Sequence, residues 1–136
     1  MSHAVTRHFV TIDGRWGPRQ VHYRRAGQGP VVVLLHQSPQ SSREFIPLMQ
    51  RWALHFTLIA PDTPGYGQSD PLGPATVGID MLATALGECI DALGLRLARH
   101  DVWTPVPPPS VKYDVLLGSP RRKNISIAYG LIWFSD

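Results

Sequence analysis

Cysteine is almost absent from this 136-residue chain: Cys89 is the only one. A single thiol excludes an intramolecular disulfide framework and points to a reducing compartment, with the cytoplasm as the default. Lysine is nearly as scarce, with only Lys112 and Lys123, both near the C-terminal end. Charged residues make up 17% of the chain, and the formal net charge is only +3. The arginines are scattered and form no basic cluster, which excludes an electrostatic nucleic-acid surface. No run approaches the roughly 18 apolar residues of a membrane span. The longest apolar segment, Ile125 to Phe134, is broken by Ser126 and Gly130. The first residues, MSHAVTRHFVTIDG, lack the apolar core of a signal peptide. Several motifs are missing as well. There is no GxGxxG, no P-loop, no HExxH and no paired histidine spacing among the six histidines. Dinucleotide, nucleotide-phosphate and metal chemistry therefore have no sequence support.

What is present is a chain long enough for one domain and 43% hydrophobic, which excludes generic disorder. Its first hundred residues alternate short strands and helices. Phe9, Val10 and Ile12 lead into Asp13-Gly14, and Gln20 to Arg24 alternates before Ala26-Gly27. These are two strands, with Asp13 to Arg19 as their connection. Val31 to Leu35 (VVVLL) is a continuous apolar run rich in β-branched residues, as expected for a strand covered on both faces of a parallel sheet. A helix follows, capped by Ser41 or Ser42 and running to about Leu54. Glu44 stands at capping-box distance, and Phe45, Leu48, Met49 and Trp52 form the apolar stripe. Phe56 to Ala60 is the next strand. Thr76 to Leu93 is the second helix, with Ile79, Leu82, Leu86, Ile90 and Leu93 as its stripe and Gly94 as its stop. The order β-β-β-α-β-α predicts an α/β fold with a mostly parallel sheet, an antiparallel N-terminal edge and flanking helices.

The pattern fades after Trp103. Arg99 to Trp103 reads as a further strand. Thr104 to Ser110 then carries four prolines, which neither a helix interior nor a central strand tolerates. Val111 to Leu117 and Ile125 to Phe134 are candidate strands around a basic turn. Residues 1–103 thus read as one unit, and 104–136 as an atypical proline-rich and basic tail.

Two strand-to-loop junctions carry candidate chemistry. His36-Gln37-Ser38-Pro39 follows the buried third strand, where open α/β sheets place ligands and where backbone N–H groups can receive an oxyanion. The same residues also suit a plain polar turn. Asp62 follows the fourth strand and opens the loop Thr63 to Asp70. Gly65 and Gly67 there permit a sharp turn. Asp62 suits either a catalytic carboxylate or an acceptor that holds the loop's N–H groups. Cys89, beside the apolar stripe of the second helix, reads as a buried structural thiol.

Taken together, VVVLLHQSP, LIAPDTPGYGQSD and a helix ending IDALGL resemble the N-terminal third of an α/β-hydrolase. The resemblance is to the haloalkane dehalogenase, epoxide hydrolase and esterase type, and it covers about residues 8–103. It implies hydrolysis of a small organic substrate (an ester, halide or epoxide) through a covalent intermediate, with no cofactor and no metal. It implies that the backbone N–H of Gln37 is one half of an oxyanion hole. His36, Ser38 and Pro39 would line the substrate pocket, and Asp62, Gly65 and Gly67 would form a supporting loop. The family usually has His-Gly where this chain has His36-Gln37.

The family's nucleophile elbow, a G-x-S-x-G-like signature after the fifth strand, is missing. No G-x-[S/D/C]-x-G occurs anywhere in the chain, and the triad acid, base and cap have no recognisable place. The codons of Trp103-Thr104-Pro105, read one base later, encode glycine and then permit histidine, a frequent start of that elbow. A frame lost near residue 103 would account for the tail. The expected product is inactive alone and prone to self-association through exposed strand edges. The alternative is a non-catalytic structural or partner-binding domain derived from the same fold.

Overall fold

The computed structural model describes residues 3–36 and 39–95, with the backbone of short strands at 101–103, 114–115, 125–126 and 130–133. Strand β1 (Thr6–Gly14) and strand β2 (Gly17–Ala26) form an antiparallel hairpin in continuous register from Thr6↔Arg25 to Gly14↔Gly17. Only Arg15 and Trp16 connect them, so most of the expected connection is strand. Gly17, at φ 84°, supplies the left-handed turn conformation that lets the strands extend this far.

β3 (Val31–Leu35) and β4 (Thr57–Pro61) run parallel, joined through a 3-10 turn (Ser42–Phe45) and helix α1 (Ile46–Trp52). Pro47, with no N–H to donate, stands in the first turn of α1. The segment therefore opens as a 3-10 turn and becomes α-helical only at Ile46. Ser41 is its N-cap: its hydroxyl accepts the Arg43 N–H at 3.3 Å. Helix α2 (Ile79–Ala92) starts three residues later than the periodicity predicts and stops at Gly94, φ 68°.

The two helices cover opposite faces. Val32, Leu34, Leu58 and Ala60 pack with Met49 of α1 and with Ala53, which caps its C-terminal end. Val33 packs with Ala83 and Ile90 of α2. Ala83 and Ala85 are fully buried where larger residues would hold the helix away from the sheet. Ile12, Val21 and Cys89 extend this second layer to the hairpin. Truncating Leu34 or Leu58, both fully buried, would cost about 2–5 kcal/mol each.

The main sheet has the order β1-β2-β4-β3-β8-β5, with β5 at Asp101–Trp103 and β8 at Gly130–Trp133. This corrects the expectation of a mostly parallel sheet. Among the described residues β3–β4 is the only parallel pair; β1–β2, β2–β4, β3–β8 and β5–β8 are all antiparallel. The apolar run VVVLL reports burial on both faces, which the two helices provide. Burial on two faces does not fix the direction of the neighbouring strand, and here β8 meets β3 antiparallel. Strands β6 (Asp114–Val115) and β7 (Ile125–Ser126) pair separately. The remainder of the expected tail strands, and Arg99 and His100, lie outside the described residues.

Candidate active-site loops around Asp62

β3 and β4 end side by side, so the segments that follow them emerge at the same edge of the sheet. His36 directly follows β3 and is buried. Its Nε2 accepts the backbone N–H of Thr63 at 2.9 Å, which leaves the ring proton on Nδ1. Tyr66 lies against the same imidazole, tilted, with ring centroids 5.9 Å apart. The loop after β3 is thereby tied at its start to the loop after β4.

Asp62 directly follows β4 and is 2% exposed. Its Oδ1 accepts the N–H of Ser42 at 2.7 Å. Its Oδ2 accepts the N–H of Gln68 at 3.0 Å and faces Nδ1 of His22 at 2.8 Å. Burial alone pushes this carboxyl up. The donors from Gln68, Ser42 and His22 outweigh burial and hold it below the ordinary carboxylate value. Its main chain is equally occupied. The Asp62 N–H donates to His22 O at 2.8 Å, and Asp62 O accepts the Ser69 hydroxyl at 2.8 Å. Ser69 Oγ in turn accepts the His22 N–H at 3.0 Å.

The loop closes on itself and on β2. Tyr66 N–H donates to Thr63 O at 2.9 Å, and Asp70 N–H to Gln20 O at 2.9 Å. The Asp70 carboxylate accepts the Gln20 N–H at 2.8 Å. Gly65 and Gly67 both have positive φ, 82° and 52°. A Cβ at Gly67 would enter the Asp62 carboxylate, so that position is barred to side chains by space and by conformation.

Asp62 thus binds three chain segments: β2, the loop after β4, and the start of the 3-10 turn after β3. His36, held by Thr63, and Ser42, held by Asp62, are both tied to the start of the loop after β4. An imidazole oriented by a carboxylate is the base-and-acid part of many hydrolytic sites. Here His22 is fully buried and Asp62 nearly so, and no reacting group can reach them. The pair is a rigid joint.

Of the sequence candidates, His36, Asp62, Gly65 and Gly67 meet at this junction. Pro39 is exposed beside it. Gln37 and Ser38 lie outside the described residues. Gln68, Ser69 and Asp70 belong to the loop already read as the continuation of Asp62, whereas His22 is a junction residue that the sequence did not single out. His22 shares the alternating strand QVHYR with no local mark of its partner, which stands 40 positions away. Among the described residues no group of three His, Cys, Asp or Glu side chains is placed to hold a metal ion. No helix among them is long and apolar enough to cross a membrane.

A family profile described as alpha/beta hydrolase fold matches residues 30–98, from the start of β3 past the end of α2. The soluble epoxide hydrolase of Corynebacterium sp. (strain C12) is 40% identical over 96 residues, covering 69% of this chain and 31% of that protein. Haloalkane dehalogenase 2 of Mycobacterium tuberculosis is 33% identical over 87 residues, covering 62% and 30%. A loop variant of a haloalkane dehalogenase from Bradyrhizobium elkanii superposes with a TM-score of 0.58 at 32% identity, covering 67% of this chain and 29% of that one. The chain spans about a third of the length of the relatives it matches. With β3, the loops at Asp62, and α2 all inside the matched segment, this chain belongs to the alpha/beta hydrolase fold family as an N-terminal, partial fragment.

Proposed function

We propose that the chain is the oxyanion-loop portion of a hydrolase acting on an ester, epoxide or halide through a covalent intermediate. In this reading the Gln37 N–H is one oxyanion donor, and His36, Ser38 and Pro39 line the substrate pocket. The observation that carries it is the Asp62 junction. It fixes the start of the 3-10 turn and the loop after β4 at the ends of the parallel pair, where an oxyanion loop needs a rigid base. The relatives' names supply the epoxide and halide classes, and the resemblance read from the sequence adds the ester class. The missing elbow supports an incomplete catalytic set: oxyanion donors without a nucleophile or base. The unpaired Cys89 thiol fits a reducing compartment such as the cytoplasm.

The test is mass spectrometry of the full chain after incubation with an activated ester, a terminal epoxide and a haloalkane. No covalent adduct and no turnover are expected. A stoichiometric acyl or alkyl adduct would show that the chain carries its own nucleophile.

A second reading, a non-catalytic domain derived from the fold, is favoured by one observation. β8 pairs with both β3 and β5, so the tail contributes a strand to the main sheet. Loss of amide-exchange protection in β3 on deleting residues 104–136 would support it.

A further inference from the structure

We propose that the outer edge of β1 is a self-pairing surface, and that two copies of the chain join there as an antiparallel, two-fold dimer centred on Val10. β1 is the terminal strand of the main sheet, and its outer edge pairs with no strand among the described residues. Nine residues of unpaired edge are a ready template for another strand.

The strand is complementary to itself. Pairing all nine residues of β1 with the same nine of a second copy fixes the register, because the two-fold axis must pass through the middle residue, Val10. That register sets Arg7 opposite Asp13 of the second copy, and Asp13 opposite its Arg7. It also sets Phe9 opposite Thr11, and Thr11 opposite Phe9. Side chains directly opposite in an antiparallel pair share a face. Arg7, Phe9, Thr11 and Asp13 alternate along β1 and all four are exposed. Phe9 is 53% exposed, among the most exposed large apolar side chains described. Within one copy Arg7 stands across from Arg24 on β2, a like-charge neighbour that Asp13 of the second copy would offset. Among the described residues neither Arg7 nor Asp13 takes part in an ion pair.

The opposite face of β1 carries Ile12, which is buried, and Val10, which packs against it, both in the layer under α2. Those residues already serve the core, so the contact adds the outer edge and the exposed face. A two-fold contact needs the same patch on both copies, which this strand supplies. An edge closed in this way forms a discrete dimer.

Sedimentation of the full chain over a concentration series tests the proposal. A discrete dimer is expected. Arg7→Asp alone and Asp13→Arg alone place like charges opposite each other twice per dimer, and each should weaken association by about tenfold or more. The double variant R7D/D13R restores opposite charges and should recover the original affinity to within about threefold. The outward-facing amides of residues 6–14, those not bonded to β2, should gain hydrogen-exchange protection as concentration rises, which reads the contact even if a variant folds poorly. A chain that stays monomeric, that forms only open-ended aggregates, or whose dimer ignores both single substitutions would overturn the proposal.

Discussion

Nδ1 of His22 and Oδ2 of Asp62 lie 2.8 Å apart with both side chains sealed from solvent. That contact joins the middle of β2 to the residue that follows β4. The same carboxylate also receives Ser42 and Gln68, so one side chain fixes the relative position of three segments.

Asp62→Asn should therefore destabilise the fold by about 1–3 kcal/mol, as expected when buried donors lose the oxygen that accepts them. The amide offers one acceptor where two oxygens now serve three donors. Its NH2 would face either the Ser42 N–H or the donors of His22 and Gln68. Urea unfolding followed by circular dichroism would show the midpoint shift.

The pH dependence follows from the same group. The folded pKa of Asp62 lies below its ordinary value of 3.8, so between the two the unfolded chain binds the extra proton. Its contribution is complete above the ordinary value and is lost as pH falls through the folded one. Thermal midpoints measured from neutral pH down into acid should fall there, and the Asp62→Asn profile should be flatter across that window.

Gly67→Ala should cost more than about 1 kcal/mol, because the residue has φ 52° and the new Cβ would enter the Asp62 carboxylate. Gly73→Ala is the control: nothing lies within 4 Å of a Cβ there. Its unfolding midpoint should stay near the parent's.

Burial pushes the Cys89 thiol from 9.0 up to about 12, the nearby Arg19 only partly opposing it. The folded chain should resist alkylation at pH 8, and the rate should rise through the unfolding transition. Above about pH 9 the unfolded thiol ionises while the folded one stays protonated. Stability should then fall with pH by up to about 1.4 kcal/mol per unit from this group.

The elements were legible in the sequence where the signal was local. VVVLL is a buried strand because five consecutive apolar residues need cover on both sides, and Gly94 stops α2 where the periodicity ends. Pairing direction was not legible: β8, Gly130–Trp133, joins β3 from nearly a hundred residues away. The junction was legible in half. Asp62, Gly65 and Gly67 sit in one loop, and their spacing shows a tight turn around a carboxylate. His22 and Ser42 reach that carboxylate only through the fold, so nothing around either residue marks the contact.

The most direct test of the proposed function is to read the coding DNA in all frames across codon 103 and for several hundred bases beyond. An alternative frame encoding a G-x-S-x-G-like elbow just after β5, followed by an acid and a histidine, is the expected result. The elbow residue would then name the chemistry, serine for esters and aspartate for halides or epoxides. Absence of such a frame would contradict the hydrolase reading and leave a non-catalytic domain of the same family.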